Sequence, residues 1–205
     1  MHNYSEILAT WDKLAFLYEE KFMQLDIYHK TYDRFANLLP HSARILELGC
    51  GPGMIGSYLL EQHPTFQFLG TDVSPSMIEL ARKNVPLAQF QTLDCRDIRS
   101  LQSKSNGIIA GFVIPYLTMN DCRRLILDCS EMMEEQGVLY LSYVASEENE
   151  SEIKTNSQGD RMNFQYYSDE NMRQMLEVAH LNVVEIFKIP YFNQQEHTCL
   201  IAQKC

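Results

Sequence analysis

The sequence predicts an α/β fold: a doubly wound, mostly parallel sheet with helices on both faces, preceded by a helical segment. Three observations predict it. From Arg44 onward, short apolar runs of strand length alternate with amphipathic runs of helix length. Those strands are too apolar for a sheet with one wet face, which argues for parallel strands covered on both sides. The first of them, "RILEL", stops at a turn in which glycine recurs at Gly49, Gly51 and Gly53.

The elements follow in order. Residues 1–40 carry two apolar stripes at helical spacing, Ile7, Trp11, Leu14, Tyr18 and Phe22, then Tyr28, Tyr32, Phe35 and Leu39, ended by Pro40. This is the helical preface, or cap. After "RILEL" and its glycine turn comes a helix from about Met54 to Glu61. "FQFLGT" is the second strand, and its helix runs from Pro75 to Asn84, with Ser74 as the cap and proline at the first position. "AQFQTL" and "GIIAGFVI" are the third and fourth strands. The next helix runs through Leu125 and Met132, with Asn120 as its cap and Gly137 after its end. "GVLYLSYV" is the fifth strand. Residues 145–167 are polar and acidic, and Gln158, Gly159 and Asp160 read as a turn between two short strands, an inserted loop or hairpin. A helix from Ser168 to about Ala179 and the strands "NVVEIFKI" and "HTCLIAQK" close the pattern. No repeat, low-complexity tract or linker divides the chain, so residues 1–205 read as one domain.

Composition weighs against several classes. The 205 residues are enough to bury a core without disulfides or metal. A formal net charge of -10 disfavours nucleic acid, which is held mainly by clustered Lys and Arg. "MHNYSEILATWDKLAF" lacks the basic start and apolar core of a signal peptide, and no apolar stretch has bilayer-spanning length, so the expected location is cytoplasmic with no membrane partner. The 6 cysteines form no C-x-x-C pair and read as reduced core or loop thiols. The 6 histidines are scattered without ligand spacing, so no metal site is expected.

The glycine turn carries the first functional signal. Glycine lets backbone approach a ligand with no Cβ in the way, and the helix that follows offers unpaired N–H groups and a positive dipole end to an anionic group. A turn that merely reverses the chain needs fewer glycines. The spacing also discriminates, because a dinucleotide fingerprint G-x-G-x-x-G requires glycine where Met54 stands. Asp72 falls at the tip of the second strand, about twenty residues further on, where a carboxylate accepts hydrogen bonds from both hydroxyls of a ribose. Capping the next helix is a task Ser74 performs alone.

With these residues in place, the chain resembles the class I S-adenosylmethionine-dependent methyltransferases that act on small molecules. "LELGCGPG" is similar to their first motif, and "GTDVSPSMIELARKN" to the acidic second-strand segment and its helix. "LDCRDI", "GIIAGFVIPYL", "MMEEQGVLYLSY" and "YYSDENMRQMLEVAHLNVVEIFKI" resemble the later segments, so the likeness spans nearly the whole chain. The resemblance implies a Rossmann-like sheet of seven strands in the order 3-2-1-4-5-7-6, with an antiparallel C-terminal strand. It implies that Glu47, Gly49, Cys50, Gly51 and Gly53 shape the pocket for the methionine part of S-adenosylmethionine. Asp72 holds the ribose, and Val73 and Met77 lie against the adenine. Asp94 accepts from the adenine amino group with the Cys95 backbone beside it, and Gly111 and Phe112 border the sulfonium. The alternative for Asp94 is a loop ion pair with Arg96 or Arg99. Two positions depart from the family pattern, Asn106 before the fourth strand and Gln136-Gly137 at the approach to the fifth, and neither belongs to the cofactor pocket.

The implied reaction moves the methyl group to O, N or C of a small-molecule acceptor and leaves S-adenosylhomocysteine. Orientation of donor and acceptor alone is worth on the order of 7–11 kcal/mol of such a barrier. A carboxylate or neutral amine acceptor needs no general base, and the sequence designates no catalytic residue. Tyr18, Tyr116 and Tyr143 are the substrate-side candidates, each also readable as a core aromatic. "VIPY" lacks the polar residue and first proline of the Asn/Asp-Pro-Pro-Tyr signature of enzymes that methylate amino groups on nucleic acids. The acidic run Glu147 to Glu152 suits a basic metabolite or a solvated face. Two other functions fit the same fold: a non-catalytic S-adenosylmethionine-binding partner subunit, and a nicotinamide-dependent oxidoreductase.

Overall fold

The change of hydrophobic period at Arg44 is where the chain enters its sheet. The computed structural model describes residues 4–155, 159, 161–191 and 195–205. Helices α1 (Tyr4–Phe22) and α2 (His29–Ala36) come first, followed by β1 (Arg44–Leu48), α3 (Met54–Gln62), β2 (Gln67–Asp72), α4 (Pro75–Asn84) and β3 (Gln89–Thr92). A 3-10 segment (Cys95–Ser100) leads to β4 (Ser105–Ala110), and a second (Ile114–Tyr116) leads to α5 (Met119–Met132) and β5 (Met133–Val144). Then come β6 (Ser151–Thr155), β7 (Arg161–Gln165), α6 (Asp169–Val178), β8 (Leu181–Tyr191) and β9 (Gln195–Lys204). The Ile7 side chain and residues Gln158 and Asp160, part of the expected stripe and turn, lie outside what is described.

Seven strands form one sheet in the order β3-β2-β1-β4-β5-β9-β8, and β6 and β7 pair separately as an antiparallel hairpin. Numbered within the sheet alone, that order is the expected 3-2-1-4-5-7-6. All pairings are parallel through β5, and β9 runs antiparallel to both β5 and β8. The order reverses between β1 and β4, which leaves a crevice beyond their carboxyl ends where such sheets take ligands.

The period-2 alternation of the strands sorts the core into two layers. Leu46, Ile108, Leu139 and Leu200 face one side with Ile126 of α5 and Met172 of α6. Their neighbours Ile45, Ile109, Tyr140 and Ile201 face the other side, with Phe35 of α2 and Leu59 of α3. Five of the cysteines are buried, Cys205 is exposed, and all are free thiols.

Three local expectations need correction. The fourth strand ends at Ala110 and not Ile114, because Phe112 takes a φ of 63° and turns the chain out of the sheet. Thr118, not Asn120, caps α5: its backbone is extended, and its hydroxyl accepts from the Asp121 N–H at 3.1 Å. Gly137 does not follow α5 directly, since β5 begins at Met133. Gly137 sits within that strand, beside Gln136 at φ 62°, where the register with β4 shifts between Ser105 and Gly107.

Candidate functional site

At the end of β1 the backbone enters the left-handed region three times, at Gly49 (φ 65°), Gly51 (φ 53°) and Gly53 (φ 93°), a conformation that costs L-residues roughly 1–2 kcal/mol each. The turn is tied to the next strand. The Cys50 N–H donates to the Thr71 carbonyl at 2.9 Å, and the Gly51 N–H donates to Asp72 Oδ2 at 2.9 Å. Asp72 Oδ1 accepts from the Ser74 N–H, while the Ser74 hydroxyl accepts from Met77 and caps α4 without help from Asp72. Asp72 therefore joins two strand ends and presents its carboxylate between them.

Beyond these ends lies a first cavity with about 900 Å³ of empty space, open at its mouth. Its floor is Glu47, Gly49, Cys50, Gly51 and Pro52, and one wall is Asp72, Val73 and Met77. Leu93 and Cys95 close it from the β3 side, Gly111 and Phe112 from the β4 side, and Trp11 and Tyr18 of α1 lie over it. A second cavity of about 1390 Å³ adjoins it and shares Trp11, Tyr18, Met54, Phe112 and Tyr116. Its remaining lining comes from distant parts of the chain and includes Tyr28, Tyr143, Lys154, Phe164, Tyr191 and His197.

Most of the residues anticipated from the sequence meet here. Tyr18 and Tyr116 line both cavities and Tyr143 the second, but its hydroxyl is held by Asp169 Oδ1 at 2.7 Å. Gly53 and Asp94 do not line either cavity. Gly53 is the start of α3, and a Cβ there would come 2.9 Å from Val85 Cγ2, so its lack of a side chain serves helix packing. The Asp94 carboxylate accepts from the Arg96 N–H at 2.9 Å and pairs with its guanidinium at 2.6 Å, the alternative weighed above.

The electrostatics differ between the two spaces. Glu47 is 1 % exposed, and its Oε2 has no hydrogen-bond partner among the described residues. Burial, and then the Asp72 charge, push its carboxyl well above the usual range, against a backbone hydrogen bond from Gly56. Burial raises Asp72 as well, opposed by its bonds from Ser74, Gly51 and Val73. Among the described residues no Lys or Arg lines this first cavity. Two desolvated carboxylates beside exposed backbone suit a cationic ligand rich in hydroxyl donors, which is the chemistry of S-adenosylmethionine. They do not suit a pyrophosphate.

The second cavity has a neutral histidine. His197 Nδ1 lies 2.6 Å from Tyr28 Oη, its ring stacks on Tyr191 at 4.3 Å, and burial followed by the Lys154 charge pushes it down to about 4. Burial raises the phenols of Tyr18, Tyr116 and Tyr143, so they stay protonated. Sequence reasoning missed Trp11, Tyr28, Lys154, Tyr191 and His197 as site residues. For Trp11 a signal existed, since it shares the α1 stripe with Tyr18, and Tyr28 heads the second stripe; Lys154, Tyr191 and His197 sit in unrelated segments with no local motif.

Comparisons with known proteins bear on the fold and the family. The trans-aconitate 2-methyltransferase of Variovorax paradoxus (strain S110) is 43% identical over 56 residues, 27% of this chain and 22% of that protein. The malonyl-(acyl-carrier protein) O-methyltransferase of Anoxybacillus flavithermus is 30% identical over 126 residues, 55% of this chain and 48% of that protein. The chain thus spans about half or less of the length of these curated relatives. Among solved structures, the 1,6-didemethyltoxoflavin-N1-methyltransferase of Burkholderia thailandensis, with bound 1,6-didemethyltoxoflavin and S-adenosylhomocysteine, superposes with a TM-score of 0.76 at 14% identity, covering 98% of this chain and 88% of that one. The magnesium protoporphyrin IX methyltransferase of Synechocystis PCC 6803, with bound S-adenosylmethionine, has a TM-score of 0.67 at 17% identity, covering 90% and 85%. At these identities the likeness is one of fold. A family model described as a methyltransferase domain matches residues 19–186, from the last turns of α1 into β8, and the chain belongs to that methyltransferase domain family.

Proposed function

We propose that the protein binds S-adenosylmethionine in the first cavity and transfers its methyl group to a small molecule in the second. The observation that carries this reading is the pair of buried carboxylates, Glu47 and Asp72, in a glycine-floored cavity without a cation among the described residues. When bound, the cofactor supplies an electrophilic methyl group on a sulfonium. The chain's own residues bind and orient. Asp72 is fixed by backbone bonds from Gly51, Ser74 and Val73, and the acceptor capacity left on its carboxylate serves the ribose hydroxyls. Glu47 offers its unpartnered oxygen to the ammonium end, and Val73 and Met77 flank the adenine. With Asp94 engaged by Arg96, the adenine edge falls to the backbone at Leu93 and Cys95.

Phe112 and Tyr116, shared by both cavities, mark where donor and acceptor meet. Their packing excludes water and fixes the line of approach, the contribution that orientation makes to the barrier. Raised phenols and a His197 pushed down to about 4 leave the second cavity without a strong base near neutral pH. That favours an acceptor atom that is nucleophilic without deprotonation.

Calorimetric titration with S-adenosylmethionine, S-adenosylhomocysteine and NAD tests the reading, and the first two should bind while NAD does not. Asp72→Ala should weaken binding by about 1.5–3 kcal/mol, the range for hydrogen bonds to a charged group. An unchanged dissociation constant would remove the ribose role, and binding of NAD alone would overturn the function.

A further inference from the structure

We propose that the acceptor taken by the second cavity is a planar aromatic acid, a flat ring system carrying a carboxylate or another anionic group. This rests on the assignment of the first cavity to the methyl donor and names the class of its partner.

The shape argument comes from the walls. Trp11 meets Tyr18 edge-on at 5.5 Å and Tyr116 at 5.2 Å, and Tyr116 meets Phe164 edge-on at 5.8 Å. Four rings from α1, the second 3-10 segment and the β6–β7 hairpin thus form a continuous aromatic wall, with Tyr191 and His197 stacked on each other at 4.3 Å elsewhere in the lining. Surfaces of this kind gain most from a flat, polarisable guest that stacks on them or meets them edge to face.

The charge argument comes from what stands among the rings. The chain has 27 acidic and 17 basic residues, yet among the described residues the second cavity is lined by Lys21 and Lys154 and by no Asp or Glu. The acids of the insertion, Glu147 to Glu152, are exposed and line neither cavity, so they do not recruit a basic metabolite. Lys154, on the same insertion, lies 3.5 Å from the centre of the Phe164 ring. Its ion pair with Glu152 is long, at 3.5 Å, and Glu152 also takes the Tyr166 hydroxyl. The Lys154 charge is felt at His197 on β9, where it helps to disfavour protonation.

Aromatic cages commonly take cations, through attraction to the ring faces. Here the Lys154 ammonium already sits on Phe164, and a cationic guest would meet a like charge there. An anionic guest meets Lys154 and the Ser142 hydroxyl, which accepts from the Phe112 N–H at 2.8 Å and has its own hydrogen to donate.

The test compares three probes of one shape: 2-naphthoate, neutral 2-naphthamide and cationic 2-naphthylmethylammonium, titrated calorimetrically into the protein with and without S-adenosylhomocysteine. Naphthoate should bind about tenfold tighter than either of the others, as expected for a charge-assisted hydrogen bond. Lys154→Met should remove most of that preference while leaving S-adenosylhomocysteine binding unchanged, since Lys154 does not line the first cavity. Equal or tighter binding of the cation, or no binding of any probe to protein that binds S-adenosylhomocysteine, would overturn the inference and leave the donor assignment intact. Failure of S-adenosylhomocysteine to bind strikes the donor assignment instead, and the ranking of the three probes still decides this one.

Discussion

Glu47 carries a carboxylate oxygen with no partner among the described residues, 1 % exposed, at the end of the first strand. Burying a carboxylate without a counter-charge costs more than burying a neutral amide of the same shape, so Glu47→Gln should raise the melting temperature of the ligand-free protein while weakening its hold on S-adenosylmethionine. For a chain of this length each kcal/mol gained shifts the midpoint by about 2–4 °C. Because burial raises the Glu47 carboxyl, the folded state holds its proton more firmly than the unfolded chain does, and the native penalty grows as pH rises through the folded value. The advantage of the glutamine variant should therefore be larger at pH 8 than at pH 5; thermal scans at both, paired with titrations, check it, and a lower melting temperature with unchanged affinity would refute it. At this scale the sequence was readable where the chemistry is local. Gly49, Gly51 and Asp72 stand at fixed offsets from two adjacent strand ends, and their meeting at one cavity follows from backbone geometry. Asp94 was not readable, because whether it faces a ligand or Arg96 depends on side-chain torsions that no spacing encodes.

Among the elements, α1 illustrates what periodicity leaves open. Its apolar stripe marks a helix, and the same stripe would suit packing on a sheet; in the structure Trp11, Leu14, Tyr18 and Phe22 line the second cavity instead. The helix is fastened at its middle by Asp12, whose Oδ1 accepts from the Ser74 hydroxyl at 2.8 Å and from the Ser76 N–H at 3.0 Å, at the positive end of α4. Glu19 takes a second bond, from Asn84 Nδ2 at 2.6 Å. Losing a cap of this type costs about 1 kcal/mol. Asp12→Ala should thus speed hydrogen exchange in α1, and release of S-adenosylhomocysteine, by roughly fivefold, with the sheet amides unchanged. Equal release rates would mean that α1 does not move to let the ligand out. The Ser76 N–H, then the Ser74 hydroxyl, depress the Asp12 carboxyl, so this fastening is present above pH 3.8 and is lost as pH falls through the depressed value.

For the molecule as a whole, the sheet order was legible because alternating strands and helices allow few connections. The second cavity was not, because it is assembled from separate segments: Tyr28 and His197, 169 positions apart, meet at 2.6 Å only once the last strand has threaded beside β5. That junction sets a pH limit. His197 is pushed down to about 4 from an unfolded value near 6.5, so between those values the unfolded chain binds more protons and stability falls as pH falls. Melting temperature should decline across that window, and His197→Gln should flatten the decline; an unaltered slope would place the titration elsewhere. One further consequence follows from the helix that covers both spaces. Trp11 and Tyr18 belong to each cavity, so a movement of α1 that widens one also widens the other. With donor and acceptor placed as proposed, this shared cover predicts that each ligand's rate of escape changes when the other cavity is filled.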